Sequence, residues 1–384
     1  MEGQRHRKFR PVVLFAALVS SVGLAPTHAI ADEKGKQLLN DLVRKAKQEG
    51  TLDTSVITQV GPSVPKLKAA FNKRFGLDLN INVGLGDQSG KFAQLITTLE
   101  TGASPQFDTL VGSGRDHHAV ITKGFATKID NWESVLAEIN PAVRSGAVKP
   151  QTVSPRPFTG YSMLWGTRTK GLIFNTKTIS EKEVPKTYAD FVKPKFKGKF
   201  PVPPWMDQYY MGILVYDKAK WLKIAEQTGQ NAAMVLKFNP ALNRILLGEF
   251  PFMSMNTYYY WDVKSQDRDA PVGVRFFNDF TTLTRVMYII PKGSRHPAAA
   301  TLWAMWMTTP DAEAIWQQVT RQENLAFGQS DIDKRGRQML EESGSKVISW
   351  YDSPETIKEL NWLTKTKEGK KYRSAIKRAI TQRK

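Results

Sequence analysis

The chain of 384 residues contains no cysteine. Disulfides, thiolate metal sites, thiol nucleophiles and lipid-modified cysteine anchors are therefore excluded together. Histidine is scarce, and past the first 31 residues only His117, His118 and His296 occur. His117 and His118 are neighbours and would diverge on a regular helix or strand, so both read as surface or helix-start residues. His296, just ahead of a proline and three alanines, reads as structural. Motifs that carry catalysis are missing as well. There is no H-E-x-x-H and no Walker A sequence, GYSML around Ser162 lacks the second glycine of a nucleophile elbow, and GLGDQSG over 84–90 is not G-x-G-x-x-G. An enzyme is not expected, nor a resident cofactor. Beyond the first 31 residues no run of eighteen apolar residues exists, so no membrane span is expected there.

What is present starts with an address. MEGQRHRKFR is basic, PVVLFAALVSSVGLA is a short apolar core, and PTHAIA places small residues at Ala29 and Ala31. This is the layout of a secretory signal over residues 1–31, cleaved after Ala31, and it predicts a soluble protein of the bacterial periplasm. The length predicts two domains, and 41% hydrophobic residues suffice for real cores. Formal net charge is +19, and removal of the signal, with its four basic residues and one acid, leaves +16. Half of that excess lies in Lys365–Lys384, which holds nine basic residues and one acid. Such a tail can meet nucleic acid, anionic lipid or a protein partner. For an exported chain a solvated helix end is the plainer expectation, and nucleic acid is not expected as a partner.

Along the chain, apolar residues at helical spacing in KQLLNDLVRKAKQEG and VPKLKAAFNKRFG predict helices that end at Gly50 and Gly76. TLDTSVITQ, LDLNINVGL and PQFDTLVGSG read as strands, with a helix over KFAQLITTLETGA between the last two. This alternation predicts an α/β sheet, largely parallel, with ligands at the carboxyl ends of its strands. A similar series follows: strand-rich YSMLWGTRTKGLIFNT, a short helix in KTYADFVKPKFKGKF, a helix ending near Gly248, a strand over FPFMSM, and a helix opening at NTYYYWDVKSQD. Strand-rich VGVRFFNDFTTLTRVMYIIPKG and a helical pair around Pro310 complete it.

In this order the pieces resemble the periplasmic solute-binding proteins of ABC importers, in particular the ferric-iron-type branch. The resemblance runs from about Leu42 to about Val319. It is carried by LVRKAKQEG, FNKRFGLDLNINV, KFAQLITTLETGASPQFDTLVGSG, NTKTISEKEVPKTYADFVKPKFKGKF, LLGEFPFMSMNTYYY and PKGSRHPAAATLWAMWM, of which the fourth is the most specific. It implies a type II periplasmic-binding fold with a ligand cleft between two α/β lobes, no enzymatic activity, a membrane permease as partner, and a monomer. Lobe 1 is expected over 32–165 with about 286–335 returning to it. Lobe 2 is expected over 166–285 with about 336–384 packing on it.

The resemblance also implies a site. Iron-binding relatives use two neighbouring tyrosines, which fall here on Tyr258 and Tyr259. Phenolate oxygen is a hard anionic donor suited to Fe(III), and Asn256 could cap the helix that opens behind it. The histidine and glutamate of the mixed ligand set have no counterpart in VITQVGPS or TLVGSGRDHH, which offers Asp116 and His117 instead. A small anionic organic solute is therefore an equal expectation. Trp205, Tyr209, Tyr210, Tyr258, Tyr259 and Trp261 would wall it, and Arg168, near the hinge, would pair with a carboxylate or phosphate. Ser89 and Gly90, at a helix start, and Ser113, at a strand end, would offer contacts to an anion. Two alternatives stay open: a polyanion-binding protein acting through its basic tail, and a sensor that presents its ligand to a receptor.

Overall fold

The computed structural model describes residues 27–381 except Met206, so the expected signal sequence lies outside the described residues apart from Thr27–Ala31. Helices of two turns or more are α1 (Thr27–Glu49), α2 (Val64–Phe75), α3 (Gln88–Glu100), α4 (Gly114–Thr122), α5 (Trp132–Ile139), α6 (Lys218–Asn231), α7 (Phe238–Leu246), α8 (Tyr258–Gln266), α9 (Pro297–Trp306), α10 (Pro310–Thr320), α11 (Asp331–Ser343), α12 (Pro354–Lys365) and α13 (Lys367–Thr381). Strands are β1 (Thr51–Val56), β2 (Asn80–Leu85), β3 (Leu110–Ser113), β4 (Ser162–Asn175), β5 (Pro201–Val202), β6 (Met234–Val235), β7 (Phe252–Asn256), β8 (Val272–Arg275), β9 (Phe280–Ile289) and β10 (Lys346–Ile348).

The first third forms as its periodicity predicts. Leu67 and Phe71 of α2 are buried one turn apart, and the helix stops because Gly76 takes a left-handed conformation, φ 61°, that a side chain would strain. β1 and β2 pair in parallel, and Thr54 bridges to Thr109 beside β3. The expectation of a largely parallel sheet fails beyond that point. β9 runs antiparallel to both β3 and β4, and β4 is antiparallel to β7 and β8. Tertiary pairing reverses these strands, a choice that alternation of apolar residues cannot encode.

β4 is the organising strand. Its first residues, Ser162–Leu164, pair with Ile289–Met287 of β9, which in turn pair with β3. Its last residues, Lys170–Phe174, pair with β7, and Leu172–Asn175 pair with β8. Between Leu164 and Gly166 the ladder slips by one residue, a bulge at Trp165. At Gly166 a Cβ would lie 3.0 Å from the Gln322 side-chain nitrogen Nε2, so the glycine allows a close approach of that side chain to the bulge.

Two aromatic groups stand out in the main core, to which β4 also contributes. One gathers Phe71, Trp303 and Trp306 with ring centroids 5.2–5.6 Å apart, and Ala298–Trp306 of α9 is buried on every side. The Glu49 carboxylate accepts hydrogen bonds from the Ala298 and Ala299 amides and so caps that helix. The other packs Tyr188 between Phe277 and Phe280, with Trp221 of α6 behind.

The basic tail differs from a solvated end. In α13, Gly369, Ile376 and Ile380 are buried, and the Tyr372 hydroxyl donates to the Lys218 carbonyl at 2.7 Å. Its alternation of apolar and basic residues at helical spacing is amphipathic, and the apolar side seats against α6. His117 also departs from its expected surface position. It is fully buried, holds Ser162 Oγ at 2.8 Å through Nδ1, and burial lowers its pKa to about 3.

Candidate functional site

Strand β7 delivers Asn256 opposite Lys170 of β4, and the chain then turns into α8. Asn256 does not cap that helix. Thr257 holds the N-cap position, its amide donates to the Thr169 carbonyl at 3.1 Å, and its hydroxyl lies 2.6 Å from the Thr169 hydroxyl. The cap is thus replaced by a tie to the neighbouring strand, which leaves the Asn256 side chain uncommitted to capping. Gly171 permits the approach, because a Cβ there would come within 2.8 Å of both Thr257 Cγ2 and the Arg275 carbonyl.

The tie presents Tyr258 and Tyr259 together, with ring centroids 4.5 Å apart. Tyr258 is buried, and the Tyr259 hydroxyl donates to Asn239 Oδ1 at 2.6 Å. Burial raises the Tyr259 pKa well above that of a free phenol, Tyr258 adds to the rise, and Arg168 opposes it. Arg168 faces the pair from β4. Its Nε donates to Gln322 Oε1 at 3.0 Å, and its Nη2 is sealed from solvent with no hydrogen-bond partner among the described residues. Desolvation lowers the guanidinium pKa, and the two phenols partly offset that. A cationic donor held in this way is set to meet an anionic acceptor.

Aromatic rings extend the site from Tyr259 toward Trp205. Trp205, 47% exposed, stands 4.8 Å from Phe238, which stands 5.9 Å from Tyr259, and Lys170 Nζ lies 4.2 Å above the Phe238 ring. The expected wall is shorter than six residues. Tyr209 and Tyr210 are buried instead, Tyr209 beside Tyr188 and Tyr210 beneath Arg373 of α13. The Trp261 indole donates to Glu323 Oε1 at 2.7 Å. Tyrosines in a helix start read alike whether they face a cleft or a core, so the sequence could not sort them.

Gln322 and Glu323 were not foreseen. Their segment, between α10 and α11, is stitched to β4. The Thr167 amide and hydroxyl both donate to the Glu323 carbonyl, at 3.2 and 2.9 Å, and the Leu325 amide donates to Thr167 Oγ1 at 2.9 Å. Gln322 aims Arg168, and Glu323 holds α8. Burial pushes the Glu323 pKa up to about 7. The run QEN behind a helix gives no signal of such a role, because the contacts are more than 150 residues apart in sequence.

A second group forms around Asp116. The Ser113 amide and hydroxyl donate to Asp116 Oδ2 at 3.0 and 2.7 Å, Ser89 Oγ donates to Asp116 Oδ1 at 3.3 Å, and Arg115 Nη2 donates to Ser89 Oγ at 3.2 Å. Here the expected amide contact is corrected: the Gly90 N–H is taken by Asp87 Oδ1 at 3.2 Å. The Gly90 and Ser113 amides and both hydroxyls are thus committed to carboxylates, and the Arg115 guanidinium is the cationic donor of this group. Asp53, Asp108 and His296 also cluster, but Asp108 already accepts from Ser294, Arg295, His296 and the Asp53 amide, and Asp53 pairs with Arg295 at 2.7 Å. That cluster fixes the loop ahead of α9.

The family described as bacterial extracellular solute-binding protein matches residues 66–322. The chain belongs to that family. This solute-binding protein is also similar in fold to iron-bound HitA from Pseudomonas aeruginosa, at 17% identity and a TM-score of 0.66, covering 85% of this chain and 99% of that one. It is similar to IdiA (FutA) from Trichodesmium in complex with iron and citrate, at 16% identity, a TM-score of 0.60, and coverage of 85% and 98%. AfuA from Actinobacillus pleuropneumoniae with fructose-6-phosphate gives 14% identity, a TM-score of 0.60, and coverage of 82% and 98%. The solute-binding protein therefore has the two-lobed periplasmic-binding fold that its motifs implied, and its family is one of binding proteins that serve ABC permeases.

Proposed function

We propose that this solute-binding protein captures a small anionic solute, with a phosphate or carboxylate on Arg168 between Tyr258 and Tyr259. The observation that carries this is the Arg168 Nη2, buried without a partner while Gln322 fixes its Nε. Trp205 and Phe238 would shelter the less polar part of the solute, and Asn256 would contribute its amide. Arg115 would meet the solute from the opposite lobe, and Ser89 and Ser113 would join it by turning their hydroxyls from Asp116 to the anion. The helix-start amide of Gly90 drops out of the contact set, because Asp87 occupies it.

In this proposal the lobes part near the bulge at Trp165, with 32–165 and about 286–335 in one, and 166–285 with about 336–384 in the other. The solute stabilises the closed state because it touches both. The chain would act as a monomer, and export would remove residues 1–31 by cleavage after Ala31.

A second reading keeps ferric iron as the cargo. The adjacent phenols favour it, as does the iron held by HitA and IdiA, and an external anion on Arg168 would complete the coordination. The two readings separate in one titration series. Phosphate- and carboxylate-bearing solutes, and ferric citrate, are added to metal-free protein and to Arg168→Met and Tyr258→Phe/Tyr259→Phe variants. The anionic reading expects a metal-independent thermal shift, lost in Arg168→Met, at a cost of roughly 2–5 kcal/mol in binding. A visible phenolate-to-iron absorption, lost in the double tyrosine variant, would support iron instead. No thermal shift with any solute and no colour would sink both.

A further inference from the structure

The cations of α13 fall in one stripe. Lys367, Lys370, Lys371, Lys377 and Arg378 are exposed, with Ser374 completing the row. At about 100° per residue they share an arc of roughly 120°. Gly369, Ile376 and Ile380 lie on the opposite side, where they are buried. Among the described residues none of the five cations is in an ion pair, and Glu368 is the single acid of the helix.

The stripe is also fixed in space. A Cβ on Gly229 of α6 would sit 1.8 Å from the Ala379 carbonyl, so the two helix backbones touch. The Tyr372 bond to Lys218 and the Arg373 contact with Tyr210 hold the flanks. A mobile tail would spread its charge over many conformations, whereas this one presents a straight cationic row about 17 Å long.

We propose that this row is a docking surface for anionic lipid headgroups, which would hold the protein against the membrane that carries its permease. The composition decides between a lipid surface and a protein partner. Protein interfaces draw on aromatic residues and arginine and are depleted in lysine, yet the row is mostly lysine. None of the exposed large apolar side chains, Leu85, Trp205, Val215, Leu247, Val319 and Val347, belongs to α13. Lysine ammonium groups on flexible stems suit a layer of phosphates, whose attraction acts within a Debye length. The surface is independent of which solute the cleft takes.

The test uses full-length mature protein and vesicles of phosphatidylglycerol and phosphatidylcholine in equal parts, with pure phosphatidylcholine as the neutral control. Sedimentation is read at low salt and at physiological salt, and duplex DNA is offered as a competitor. A stripe variant (Lys370→Gln, Lys371→Gln, Lys377→Gln, Arg378→Gln) is compared with a charge-matched variant elsewhere on the same lobe (Lys182→Gln, Lys186→Gln, Lys197→Gln, Lys199→Gln). The expected result is binding to the anionic vesicles that weakens with salt, falls at least about tenfold in the stripe variant, and changes little in the matched variant. Equal loss in both variants would reduce the effect to net charge and overturn the proposal. So would absence of low-salt binding by the wild type, a measurement that needs no variant, or a preference for DNA over the vesicles.

Discussion

A guanidinium nitrogen sealed from water gives up hydration that a free arginine keeps, and in Arg168 the Nε is bonded to Gln322 while Nη2 has no partner among the described residues. The neighbouring carboxyl of Glu323 has the same character, with Oε1 bonded to Trp261 and Oε2 buried without a partner among the described residues. Its pH behaviour is predictable. Because burial raises its folded pKa to about 7, the folded chain keeps a proton that the unfolded chain loses near 4.3. The resulting stabilisation is complete below that value and is lost as pH rises through about 7, on the order of 3 kcal/mol in all. Urea unfolding of Glu323→Gln at pH 5 and at pH 7.5 should therefore show a smaller difference than the wild type. Glu313, raised by burial and by Asp333, leaves a residual slope of the same sign. An unchanged slope would remove Glu323 from the account. At this scale the tyrosine pair and Arg168 could be singled out as candidates because residue type and position in a motif coincide, and the fold brings the three side chains together. Gln322 and Glu323 were not, since their partners Arg168, Thr167 and Trp261 become neighbours only through the fold.

Among the elements, those with strong local patterns matched their sequence. Helix α2 has its apolar spacing and a left-handed glycine at its end, and the pair α9 and α10 is split by Pro310 as expected. The strands were found, but not the antiparallel course of β9 against β3 and β4, because direction is set by tertiary partners. Helix α13 shows the same limit from the other side. Its lysines suggested a solvated end, and only the complementary groove on α6 makes Ile376 and Ile380 core residues. Gly229 is the most sensitive point of that groove. Gly229→Ala removes the backbone contact with Ala379, and strain of this kind typically costs about 1–3 kcal/mol. The variant should melt at a lower temperature than the wild type, whereas Ser374→Ala, at a solvent-facing position of α13, should melt no lower. A gain in stability, as helix propensity predicts for glycine replaced by alanine, would show that α6 and α13 are not packed this way.

For the molecule as a whole, length, the leader-like start, the missing catalytic motifs and the order of weak segments pointed to a two-lobed solute-binding protein, and the family match over residues 66–322 agrees. What the solute is rests on chemistry that the sequence leaves evenly divided, and the anionic reading proposed above rests on the buried Arg168 Nη2. The cargo itself is the most direct witness. Protein exported to the periplasm is purified without added ligand, released by heat, and the freed small molecules are identified by mass spectrometry for wild type and Arg168→Met. The account predicts one phosphate- or carboxylate-bearing species, near stoichiometric in the wild type and absent from the variant. A neutral species, or an acidic one that the variant retains in equal amount, would contradict it.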